Sequence, residues 1–163
     1  MFRRIVVNNK YNQVECDIPK AEDISEVKSL TDILEKRNYI ESNIDWESLI
    51  DSLSNPEKHS PTSPFLEREV CERFVTQYKR YLYLTCKYGK ELDFSPSVGI
   101  DIIWHAHILD TIAYHKDCQY LFGSYLHHFP YFGLRGENDK KNLELAFENT
   151  KELYFQEFNE VLE

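Results

Sequence analysis

The sequence predicts a mainly α fold, a helical bundle of four or five helices with a small N-terminal β-hairpin or extended arm. Three observations carry this. Apolar residues recur at three- and four-residue spacing through five stretches of the chain. The β-prone pieces are few and short, Phe2 to Val7 and Val14 to Ile18. Glycine is scarce, with 5 residues in 163, so the connections are not long flexible linkers. A chain of this length is expected to form a single domain over residues 1–163 with a real core.

The two β-prone pieces flank NNKYN, an Asn-rich connection suited to a turn. A first helix is expected over Ala21 to Arg37, where Ile24, Val27, Leu30, Ile33 and Leu34 keep helical spacing. A shorter second helix follows over Asn43 to Leu53. SNPEKHSPTS, residues 54–63, holds two prolines and three serines and reads as a loop, with His59 as an isolated solvent-facing residue.

Pro64 suits the first turn of a long third helix that runs to Tyr88, with Gly89 as its stop. Its tyrosines fall at core and boundary positions rather than forming a binding strip. Ser95-Pro96 reads as a cap and first residue of a fourth helix from about Pro96 to Phe122, stopped at Gly123. YLHHFPYFGLRG, residues 125–136, is too rich in rings to be a floppy loop. The last helix spans Glu137 to Leu162. With 11 Tyr and 10 Phe, the core relies on large rigid rings.

The formal charge is −9 and no run of Lys or Arg is present, which argues against a nucleic-acid partner and against an anionic membrane surface. MFRRIVVNNK has too short an apolar run for a signal peptide or a membrane span. Cys16, Cys71, Cys86 and Cys118 are far apart and form no CxxC pair, the pattern of cytosolic thiols rather than of a disulfide frame. A cytoplasmic location is therefore expected. The sequence names no protein partner; a small-molecule or peptide ligand enters only with the metal-enzyme reading below.

Five of the 6 histidines, His105, His107, His115, His127 and His128, fall between His105 and His128, where even scattering would leave about one. Neutral imidazole is the commonest metal ligand, so this window is the candidate site. On one helix Asp101 and His105, four residues apart, share a face. His107 points about 120° away, toward Ile103, Trp104 and Tyr114, so His105 and His107 cannot hold one ion from a regular helix. His107 and Cys118 are roughly 16 Å apart along a helix axis and cannot share an ion either.

The economical ligand set is Asp101 and His105, closed by His127 or His128 from the return segment; His128 is the preferred third ligand. Two imidazoles and a carboxylate with open positions suit non-haem iron(II) or a catalytic zinc. His107 in place of Asp101 is a second option if the helix is irregular. With Asp101, His105 and His128 as the ligands, His107, Tyr114 or His127 would support them or act as acid and base. Reach sets a condition. The helix from His105 to Phe122 is roughly 25 Å long, while Gly123 to His128 spans at most about 17–18 Å. The site therefore requires the fourth helix to break or bend, with Thr111 to Cys118 as the expected place.

Three functions follow. The first is a metal-binding protein acting as a metal-dependent enzyme, of iron or zinc type, on a small molecule or peptide. The second is a non-catalytic interaction module whose His/aromatic cluster is structural. The third is a cysteine–histidine enzyme using Cys118, with His115 three residues before it as a reachable partner. No phosphate loop, nucleophile elbow or dinucleotide fingerprint is present.

One pattern runs D-x-x-W-H-x-H-x-L, then Y-x-x-x-C, then F-G-x-x-L-H-H-x-P. It is carried by Asp101, Trp104, His105, His107, Leu109, Tyr114, Cys118, Phe122, Gly123, Leu126, His127, His128 and Pro130. It resembles the domain of plant glycine-rich domain-containing proteins and their shorter bacterial relatives, over about Tyr78 to Gly136. The resemblance implies no particular reaction. The glycine-rich tail of the plant proteins is absent, and so is any RNA-binding segment.

Overall fold

A computed structural model describes residues 27–89 and 91–162. The described residues form six helices: α1 (Ile33–Ser42), α2 (Trp46–Ser54), α3 (Arg68–Tyr88), α4 (Val98–Leu109), α5 (Thr111–Phe122) and α6 (Glu137–Phe158). The mainly α expectation holds. The expected N-terminal hairpin and the start of the first expected helix lie outside the described residues; within them residues 27–32 are not helical, and α1 begins at Ile33 behind its Asp32 cap and runs on to Ser42. The count of four or five helices is corrected to six, because the expected fourth helix is two.

Local chemistry sets most of the boundaries. Asp32 caps α1, its carboxylate accepting from the Leu34 and Glu35 N–H groups at 2.8 and 3.0 Å. Asp45 does the same for α2 through Ser48 N–H. Pro64 does not open α3: the Leu66 N–H donates to the Leu53 carbonyl at 2.9 Å, holding the chain extended until Arg68. Gly89 ends α3 in a right-handed conformation, whereas Gly123 ends α5 with φ +71°, a left-handed cap. Ser97, not Ser95, caps α4. Ser95 is instead pinned to α6, its N–H donating to the Thr150 hydroxyl at 3.1 Å.

The long α3 is the central element, packed against α1, α2, α4 and α6. Cys71, Val75, Tyr78, Leu82 and Leu84 form its buried side, and α4 covers much of it. Gly99 is the close approach between the two, since a Cβ there would stand 2.6 Å from the Phe74 ring. Further along, Tyr78 meets His107 and Tyr81 meets Trp104. No described helix is long and apolar enough to cross a membrane.

Candidate metal centre

The organising feature is Asp110. It ends α4 with ψ 73° and at once caps α5, its carboxylate accepting from the Ala113 N–H at 3.2 Å. One residue thus closes one helix and opens the next. The chain kinks here, one residue before the stretch in which a break was expected, and the condition on reach is met.

Past Gly123 the return segment comes back alongside α4. Two hydrogen bonds fasten it. The Trp104 indole N–H donates to the Tyr114 hydroxyl at 2.8 Å, and that hydroxyl donates to the Leu126 carbonyl at 2.6 Å. Two residues on, the His128 ring stands edge-on to Trp104, with centroids 4.7 Å apart. The Trp104 ring in turn packs on buried Tyr81.

His128 Nε2 lies 2.8 Å from Asp101 Oδ1 and 3.1 Å from His105 Nε2, and His105 Nε2 lies 3.6 Å from Asp101 Oδ2. Three ligand atoms therefore converge within 4.8 Å of one another. Two atoms held about 2.1 Å from a common ion, at angles between square and tetrahedral, are about 3.0–3.4 Å apart. The His105–His128 spacing falls in that range, and the two oxygens of Asp101 stand just below and just above it from His128 and His105, so the three residues fit an ion with one carboxylate oxygen as ligand. The His105 side chain is 55% exposed and that of Asp101 36%, against 16% for His128. The group is anchored from the return-segment side and open on the helix side.

The other expected site residues lie elsewhere. His107 is 3% exposed, in the core on another face of α4 from His105, so it cannot replace Asp101. The Tyr78 hydroxyl lies 3.0 Å from its Nδ1 and the Asp117 carboxylate 3.0 Å from its Nε2. Asp117 also accepts from the Tyr39 hydroxyl at 2.6 Å. With the Asp117 carboxylate as acceptor, Nε2 carries the proton toward it, and in the neutral ring Nδ1 then accepts from the Tyr78 hydroxyl. This buried chain of four residues joins α1, α3, α4 and α5.

Tyr114 belongs to the fastening described above. Burial, with Cys118 beside it, holds its phenol far above the ordinary range, so it serves as a hydrogen-bonding hinge pin rather than a base. His127 is exposed and stacks on Tyr125, which also meets His115. Neither histidine joins the Asp101 group. Cys118 is buried, and burial pushes its thiol up; its polar neighbours are the Tyr114 hydroxyl and the Leu126 backbone. His59 is half-buried rather than solvent-facing, with Nδ1 3.2 Å from the Ser52 carbonyl.

Sequence reasoning missed Asp117 and the part played by Tyr39. Their signal depends on the kink, since only a folded-back α5 brings Asp117 to His107. A cue for the kink was present. Aspartate is a residue type that favours the cap before a helix, and Asp110 stands inside what reads as one helix.

No curated protein and no solved structure matches the chain. The resemblance to glycine-rich domain-containing proteins is corrected by the family comparison, which finds a different family. A family model described as UCP032817-like matches residues 38–152, more than half of the sequence and including the whole histidine window, and the chain belongs to the UCP032817-like family.

Proposed function

We propose that the chain is a metal-binding protein that uses Asp101, His105 and His128 as ligands to one divalent ion, iron or zinc, and acts as a metal-dependent enzyme. The observation that carries the reading is the convergence of three ligand atoms from α4 and the return segment within 4.8 Å. A bound ion of this type supplies Lewis-acid chemistry, polarising a substrate oxygen or acidifying a bound water. The chain's own residues hold and orient. Trp104 fixes the His128 ring, and the Tyr114 hydroxyl fixes the backbone two residues before it. The exposed side of His105 leaves room for a small molecule or peptide.

Elemental analysis of untagged protein tests this. About one equivalent of iron or zinc is expected, and His105→Ala should lose it. A second reading has its own support. The His128–Asp101 hydrogen bond and the Trp104–Tyr114–Leu126 chain fasten the return segment without any ion, as a purely structural cluster in an interaction module would. Metal-free protein whose His105→Ala variant is merely less stable would favour that module. The cysteine–histidine reading has no comparable support, since burial keeps the Cys118 thiol protonated.

A further inference from the structure

A cleft of about 330 Å³ lies against the same histidine. One side is a face of α4, Ile102, His105, Ala106 and Leu109, at helical spacing i, i+3, i+4, i+7; the other includes Ser63 and Pro64. The lining is mostly apolar, and His105 is its one ionisable side chain. The size sits at the lower end of the roughly 300–1,000 Å³ typical of small-molecule sites, too small for a folded peptide segment. Resting on the metal-binding reading, we infer that the cleft takes the hydrocarbon body of a small monocarboxylate whose head meets the ion at His105.

Two features argue for that class. A dication with two neutral imidazoles and the Asp101 carboxylate keeps one net positive charge, which a single carboxylate head neutralises. No basic side chain lines the cleft to pair a second anionic group, and no acidic one to pair a cation. The body of the ligand then meets only apolar side chains and two small hydroxyl-bearing residues, Thr62 and Ser63.

The test uses the full chain loaded with Co²⁺, whose visible absorption reports entry of an oxygen ligand. Acetate, butanoate, hexanoate and octanoate are titrated in turn. Affinity should rise about three- to fourfold per buried methylene until the cleft is filled. Leu109→Gln removes apolar wall at a residue already 64% exposed, and Ala106→Leu fills the cleft. Both should flatten the series while retaining one equivalent of cobalt, with helical content checked by circular dichroism. Cobalt-loaded wild type with no chain-length dependence would overturn this inference and leave the metal site standing. So would a chain-length dependence that both variants leave intact. Failure of the wild type to bind cobalt at all would overturn both readings.

Discussion

His128 Nε2 sits 2.8 Å from an oxygen of Asp101, a residue one full helix and a reversal of the chain earlier. Nothing local in sequence forces that pairing, because it needs the kink at Asp110 and the cap at Gly123 together. If the pair exists to hold an ion, each of Asp101→Ala, His105→Ala and His128→Ala should lower metal affinity by more than the roughly tenfold to hundredfold that loss of an outer partner brings. His127→Ala, one residue away but turned to solvent against Tyr125, should leave affinity unchanged. Isothermal titration with Zn²⁺ checks all four. Equal weakening by His127→Ala would show that the ligand set is misassigned.

Tyr114→Phe isolates the fastening from the ligands. It removes only the hydroxyl that accepts from Trp104 and donates to Leu126. Stability should drop by about 1–2 kcal/mol, the cost of a buried hydrogen bond with an orphaned partner. Metal affinity should fall about tenfold, as for other groups that orient a ligand without touching the metal. Urea denaturation of metal-free protein gives the first number and titration the second. A stability loss with unchanged affinity would show that His128 is positioned by Trp104 alone.

The buried chain through His107 is expected to matter to the fold and not to the metal. Asp117→Ala strands the Tyr39 hydroxyl and the His107 Nε2–H in the core. Two unsatisfied buried donors cost about 2–6 kcal/mol. Asp117→Asn, whose amide oxygen still accepts, should cost less. Both variants should keep full metal stoichiometry below their melting temperatures, which elemental analysis reads. Lost stoichiometry in folded Asp117→Asn would tie the two networks together.

Much of this was legible in the sequence, and for a common reason. Helices with one apolar stripe, Asp and Ser caps and a glycine stop are written in local chemistry, and α2, α3 and α6 fall close to where periodicity places them. Asp101 and His105 share a face because four residues make about one turn. The split of α4 from α5 was readable chiefly as a requirement of reach. The apolar pattern runs through Asp110 without interruption, so only the Asp110 side chain marks the break. The pairing of His107 with Asp117 was not legible, because it follows from the angle between two helices that the sequence presents as one. Pro64 misled because a tertiary hydrogen bond, Leu66 to Leu53, outweighs its preference for a helix start.

Cys118 should be inert in the folded protein. Its side chain is 1% exposed, and burial holds the thiol above its ordinary value. Cys86 is pushed up to about 12 by burial and Cys71 to about 11. Iodoacetamide at mildly alkaline pH should therefore label Cys118 far more slowly in native protein than in urea, since the thiolate is the reacting form and the side chain is buried. Peptide mass mapping over time measures this. Prompt labelling confined to Cys118 would revive a cysteine-based chemistry.

Acid stability should depend on the contact between α3 and α6. Burial alone would raise the Glu157 carboxyl, but hydrogen bonds from Lys87, at 2.6 Å, and from the Tyr88 hydroxyl outweigh it, with help from the charges of Lys87 and Arg37, and leave it below its ordinary value of 4.5. A carboxyl depressed by folding binds a proton less readily in the native state than in the unfolded chain. Its contribution is therefore complete above 4.5 and is lost as pH falls through the lower folded value. Glu157→Gln should begin less stable at neutral pH and lose less on acidification, so the two curves converge in acid. Asp45, Asp51, Asp139 and Glu160 are also held low by their partners, so the variant keeps most of the overall acid dependence. Urea midpoints at a series of pH values from neutral to about one unit below the ordinary carboxyl range give the comparison. Parallel curves would mean that the Glu157 contact, like many ion pairs near a surface, adds nothing measurable to the packing of α6 on α3.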